Sequence, residues 1–321
     1  MSLTHYVTEW LAEVTANPWQ VIVPLTGIIL VAVLYWRGAW YEGRTGIGRR
    51  ITALRAASFY TGLLVLLAAI ASPLDVLADE GLAAHMVQHE LLMLVVPPLL
   101  LLGTPLWPLW RALPLNWRRA SLRWLMRRHW AKRTGEQLAR MTRSAVIVWS
   151  IFIGVFLVWH IPALYDFALR DEAAHALEHS LFLLVALMFW AQVIPSFPLQ
   201  PRLSFMRRAG YLFAAAMALH LFSILIGISV QPIYPYYGTG PEIVANQSAG
   251  GAIMDVSGQI VFTTAILICV GLWLRDEDRR GQMQDEGTST EPAPNISARG
   301  ALLIAEADLA ESSVGDEDRR G

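Results

Sequence analysis

A single cysteine, Cys269, stands among 321 residues. One thiol excludes a disulfide framework, a Cys-x-x-Cys redox pair and the thiolate-rich sites of zinc ribbons and iron–sulfur proteins. Lysine is equally scarce: Lys132 is the only one, and it lies in a basic connection, so no amine is available inside an apolar helix for a retinal Schiff base. Charge of either sign is sparse. Charged residues make up 16% of the chain and hydrophobic ones 55%, against roughly 25% and 45–50% in an average soluble domain. Mean hydropathy is +0.43. Such a composition excludes a soluble enzyme, and a net charge of −1 gives no electrostatic case for nucleic acid.

What is present instead is a set of long apolar runs. Crossing about 30 Å of hydrocarbon takes roughly 20 helical residues, and seven stretches qualify, near 19–36, 57–76, 83–102, 144–163, 176–195, 209–230 and 252–274. The expected fold is therefore an all-α membrane protein, a seven-transmembrane-helix bundle over 19–274. Residues 1–18 form an outer N-terminal segment. No short apolar run with a small-residue cleavage site opens the chain, so its first helix is expected to be an anchor. Pro73, Pro97, Pro98 and Pro162 lie at or inside helices, where neighbouring helices must satisfy the carbonyls they free.

Orientation follows from the basic residues. Of the 25 Lys and Arg, 24 fall in 37–55, 111–143, 202–208 or the tail after Leu274, with Arg170 the exception. These segments are expected to be cytoplasmic. The N-terminus and the connections near 77–82, 164–175 and 231–251 then face outward, and the C-terminus is cytoplasmic. The basic 111–143 connection is expected to enforce this topology, an RNA or anionic-lipid patch being the alternative. The polar tail, 275–321, is expected to be disordered, with a weak helix over 301–311. Asp276-Glu277-Asp278-Arg279-Arg280-Gly281 recurs at 316–321, too short an echo for a structural repeat.

Ionisable residues inside spans are functional candidates. The topology places His85 and His89 in the first turns of the third span, His160 near the outer end of the fourth, and His175 and His179 at the outer start of the fifth. Five of eight histidines thus converge on one leaflet, whereas His220 falls mid-helix, His129 in the basic connection and His5 in the outer segment. Two of them form His-x-x-x-His pairs, a spacing that puts two imidazoles on one helix face. Met86 and Met254 accompany them. Imidazole and thioether without thiolate suit copper better than magnesium or calcium. The expected metal ligands are His85, His89, His160, His175 and His179, with Met86 and Met254 as auxiliary donors. His175-Ala176-Leu177-Glu178-His179 also matches H-x-x-E-H, while His89-Glu90-Leu91-Leu92-Met93 lacks the second histidine of a zincin motif. Glu90 and Glu178 are read as partners for imidazole N–H groups.

At these residues the chain resembles the bacterial cytochrome c oxidase assembly factor CtaG in its multi-span membrane form. The matching blocks are His85-Met86-Val87-Gln88-His89; Val96-Pro97-Pro98 through Gly103-Thr104-Pro105; Val158-Trp159-His160-Ile161-Pro162-Ala163-Leu164-Tyr165-Asp166; and His175 to His179 with Phe182 and Trp190. A weaker one joins Pro232-Ile233-Tyr234-Pro235-Tyr236-Tyr237 to Gln247, Gly251 and Met254. Asn246, Asp255 and Glu90 depart from the family pattern, and Asp255 is thereby a further candidate ligand. The resemblance implies a non-catalytic factor of the bacterial inner membrane, needed to build haem–copper oxidase at its copper step. Its expected partners are the lipid bilayer, cytochrome c oxidase subunits and a periplasmic copper chaperone. Three other readings follow from the residues: a zinc-dependent intramembrane hydrolase, a haem-handling protein, and a metal transporter with His220 on its path.

Overall fold

The structure is a computed structural model and describes residues 3–45, 51–127, 133–134, 137 and 140–288; His129, Lys132 and the tail 289–321, with the expected helix at 301–311, lie outside the described residues. Every long element among them is helical. Helix α1 is Leu3–Ala16, α2 Trp19–Thr45, α3 Ala53–Ile70 and α4 Pro73–Glu80. Helix α5, Leu82–Leu102, carries a π-helical stretch at Leu91–Val95. Then come α6 Leu106–Ala112, α7 Leu115–Arg127, α8 Ala145–Trp159, α9 Pro162–Arg170, α10 Glu172–Trp190, α11 Phe205–Gly227 and α12 Pro241–Thr288.

Six of these, α2, α3, α5, α10, α11 and α12, are long and apolar enough to cross a membrane. A seventh span is completed only if α8 and α9, bent by 72° at their junction, are one broken span. The cause is Pro162. It has no N–H to continue α8 but has the φ that suits the first turn of a new helix, so the expected run 144–163 breaks at His160 and Ile161. Similarly, the expected run 57–76 ends at Ile70, because Ser72 caps and Pro73 opens α4. Side-chain caps set other starts: Ser144 accepts from Ile147 N, and Asp171 from Ala174 N. Helix α12 runs on past the expected boundary at 274 as far as Thr288.

Two of the carbonyls freed by proline are taken by buried side chains from other helices. Pro73 leaves the Ala69 carbonyl without its helical donor, and Gln88 Nε2 of α5 donates to it at 2.7 Å. Pro97 and Pro98 deny the Met93 carbonyl both its α- and its π-helical donor, and Trp190 Nε1 of α10 donates to it at 3.0 Å. The expectation thus holds at Pro73 and Pro97, whereas at Pro162 the freed Val158 carbonyl accepts from Ile161 N of its own turn at 3.2 Å.

Two apolar cores result. The larger runs through α5, α8, α10, α11 and α12, where Phe189 stacks on Phe152 and Tyr211 at 4.2 and 4.6 Å. The smaller comprises Tyr35, Phe59, Leu63, Val96 and Leu100, with Tyr35 stacked on Phe59 at 3.9 Å. Helix α2 reaches it because Gly38 lies against the Pro108 backbone; a Cβ there would sit 1.9 Å from the Pro108 oxygen. From Gly271 the chain forms a second unit, whose described part is the end of α12, with Arg280 paired to Asp276 at 2.6 Å.

Candidate metal centre

Histidines 85 and 89 lie one turn apart on α5, and histidines 175 and 179 one turn apart on α10. His160 caps the C-terminus of α8 at the 72° bend. All five come together. The His85 ring is 5.2 Å from that of His175 and 6.1 Å from that of His179, and the His89 ring is 5.4 Å from His179 and 5.9 Å from His160. His85 and His89 face each other Nε2 to Nε2 at 2.8 Å, so one of the two must donate. Two donor groups have their atoms mutually within 4.8 Å: His85, His175 and His179, and His85, His89 and Glu178. His85 belongs to both.

Glu178 is the acid at this point, fully buried, with Oε1 3.7 Å from His89 Nε2. Read above as an outer partner, it lies among the donors themselves. The signal was in the H-x-x-E-H spacing, since 175, 178 and 179 share one helix face. Tyr165, quoted only as part of a motif, packs its ring 5.2 Å from His85.

Hydrogen bonding sharpens the arrangement. His160 Nδ1 donates to the Phe156 carbonyl at 2.8 Å, which leaves Nε2 as the nitrogen with a free lone pair. That Nε2 is buried without a partner, as are His85 Nδ1, His89 Nδ1, His175 Nε2, His179 Nε2 and both Glu178 oxygens. Each such orphan costs about 1–3 kcal/mol when nothing engages it. Seven such atoms, on side chains from three helices whose imidazole rings neighbour one another at 4.2–6.1 Å, fit a bound cation far better than an apolar core. Nitrogen and oxygen donors without thiolate suit copper or zinc.

A tyrosine-rich segment packs against the histidine group. Tyr237 donates to the Ala78 carbonyl at 3.1 Å, so Tyr165 donates to Tyr237 across 3.0 Å; Tyr234 donates to the His160 carbonyl at 3.2 Å. Burial pushes the Tyr234 and Tyr237 hydroxyls up, so both remain protonated donors. Gln247 anchors this segment by accepting from Ile233 N at 2.7 Å. Beside it lies a cavity of about 220 Å³ with Glu80, Glu242 and Asn246 in its walls.

Met86 and Met254 are buried in the larger core, Met86 against Gly250 of α12. Asp255 is hydrogen-bonded to His220 Nδ1 at 2.5 Å between α12 and α11, which gives the half-buried His220 a partner, and Asp255 belongs to neither histidine donor group. Glu90 accepts from Ser257 at 2.7 Å. Asn246 accepts from Ala83 N at 3.0 Å, capping α5 from α12 where Gly81 has no side chain to do so. His5 forms a more exposed group with Glu9 and Glu80.

These features define a helical membrane protein with a buried histidine centre near one end of its spans. Residues 33–276 match the model of the cytochrome c oxidase caa3 assembly factor family (Caa3_CtaG), and the chain belongs to that family. It is also similar to the uncharacterized protein ML1998 of Mycobacterium leprae, 24% identical over 78% of this chain and 38% of that protein. The uncharacterized protein Mb0105 of Mycobacterium bovis is 24% identical over 94% of this chain and 48% of its own length. The chain thus spans less than half the length of these relatives. No solved structure matches it.

Proposed function

We propose that the chain binds copper at the five-histidine centre and passes it to a cytochrome c oxidase subunit or to a periplasmic chaperone, as an inner-membrane factor without catalytic activity. The family supplies the process, oxidase assembly. The observation that carries the copper step is the set of orphaned imidazole nitrogens on α5, α8 and α10. In this reading His85, His89, His160, His175 and His179 are the principal ligands, Glu178 is the acid beside them, and Met86 and Met254 are auxiliary thioethers. Copper is cargo here, so the site must release it. Five imidazoles exceed the four donors an ion commonly takes from nitrogen and sulfur, and the surplus allows it to shift from one donor group to the other through the shared His85. The proposed topology counts α8 with α9 as a seventh span, and it sets the histidine end outward and the arginine-rich end in the cytoplasm.

One observation favours a second reading. His85, His89 and Glu178 form a two-histidine, one-carboxylate group, the donor set of hydrolytic zinc sites. Elemental analysis of the purified chain after copper or zinc loading and desalting separates the two. The expected result is one equivalent of copper, lost in His85→Ala/His89→Ala, and weakened by about ten- to a hundredfold in Glu178→Gln. Preference for zinc, with hydrolysis of lipid or peptide substrates, would install the hydrolase instead. No metal in the parent protein would overturn both.

A further inference from the structure

Toward the opposite end from the histidines, a cavity of about 820 Å³ is lined by Phe59, Leu63 and Leu100 of the smaller core and Leu101 of the larger, with Leu187, which packs against both. The volume lies in the range of about 300–1,000 Å³ that holds small organic ligands. Its rim is different in kind. Arg143 and Arg202, both exposed, stand there with Gln192 and Gln200, and among the described lining residues there is no acid. Gln192 is itself held in place, donating to the Thr142 carbonyl at 2.8 Å.

An apolar lumen with a cationic rim is complementary to a molecule with a long apolar tail and an anionic head. We propose that this cavity is a binding site for an anionic phospholipid, one acyl chain lying between Leu63 and Leu187 and the phosphate resting on Arg143 and Arg202. Three physical points support that occupant. An open apolar cleft of this size at membrane depth is filled by lipid chains in any bilayer. Two guanidinium groups at its mouth match phosphate in geometry and charge. Basic pockets between spans also lie on the side where anionic headgroups concentrate. Zwitterionic lipid satisfies the first condition but gains less from the second. The site shares no residue with the histidine centre, so it stands or falls independently of metal binding.

Native mass spectrometry of the full chain in detergent, offered equimolar phosphatidylglycerol and phosphatidylcholine with identical chains, tests this. Phosphatidylglycerol should be retained preferentially. Arg143→Ala/Arg202→Ala should weaken its retention by roughly thirtyfold, from about 1 kcal/mol for each arginine. Arg143→Lys/Arg202→Lys, which keeps the charge without the guanidinium geometry, should keep only part of the preference, and Leu63→Trp, which fills the lumen, should abolish retention with both arginines present. Equal retention of the two lipids by the parent chain overturns the proposal, with no variant needed. So does a preference that the alanine pair leaves intact, or a neutral prenyl lipid held in the lumen whatever the rim carries.

Discussion

Asp75 and Gln88 show how much rests on single polar side chains in so apolar a chain. Gln88 spends both amide hydrogens, one on the Ala69 carbonyl and one on Asp75 Oδ1, each at 2.7 Å. Burial pushes the Asp75 carboxyl above its ordinary 3.8, and the Gln88 hydrogen bond pulls it partway back. A raised value in the folded state means that folding takes up a proton. The stabilisation it brings is complete below 3.8 and is lost as pH rises through the folded value. Asp75→Asn keeps the acceptor oxygen and never ionises. Its thermal midpoint in detergent should therefore exceed that of the parent at pH 8, with the gap closing as pH falls toward 4. A gap independent of pH would contradict the argument. The histidines were legible at this scale because imidazole is conspicuous in an apolar run. Glu178 was less so, since its place among the donors depends on α5 lying opposite α10.

Among the elements, α5 is the most unusual, and proline explains it. Two successive residues without N–H leave the Met93 carbonyl stranded, the ladder loosens to π spacing over Leu91–Val95, and Trp190 closes the gap. Trp190→Phe keeps the aromatic bulk and removes the donor. It should cost about 1–3 kcal/mol, the scale for stranding one buried acceptor, read as a lower chemical-denaturation midpoint. An unchanged midpoint would mean that the carbonyl finds another donor. The helices themselves were plain from the apolar runs, and Pro73 and Pro162 were marked in advance. Their effect on the path was not. Whether a proline kinks, breaks or merely opens a helix depends on which neighbour meets the freed carbonyl, and that neighbour is remote in sequence: 19 residues for Ala69 and Gln88, 97 for Met93 and Trp190. The cap on α5 shows the same limit, since Asn246 lies 163 residues from Ala83.

For the molecule as a whole, the basic residues and the histidines mark opposite ends of the spans, and this polarity was readable from the chain alone. The sidedness it implies is testable because Cys269 is the only thiol. In a Cys269→Ser background, Glu242→Cys should react with an impermeant maleimide on intact cells, and Arg119→Cys only after permeabilisation. The reverse pattern would invert the bundle. The place of Glu178 beside His85 and His89 bears on which ion this end can hold. Metal-bound imidazoles are neutral, so Glu178 is the one described residue in these donor groups whose ionisation can offset an ion's charge. A monovalent ion would make the assembly electroneutral, whereas a divalent one would leave a net positive charge in a medium where uncompensated charge is costly. Discrimination by valence would then need no size filter, because charge balance alone would favour the monovalent ion.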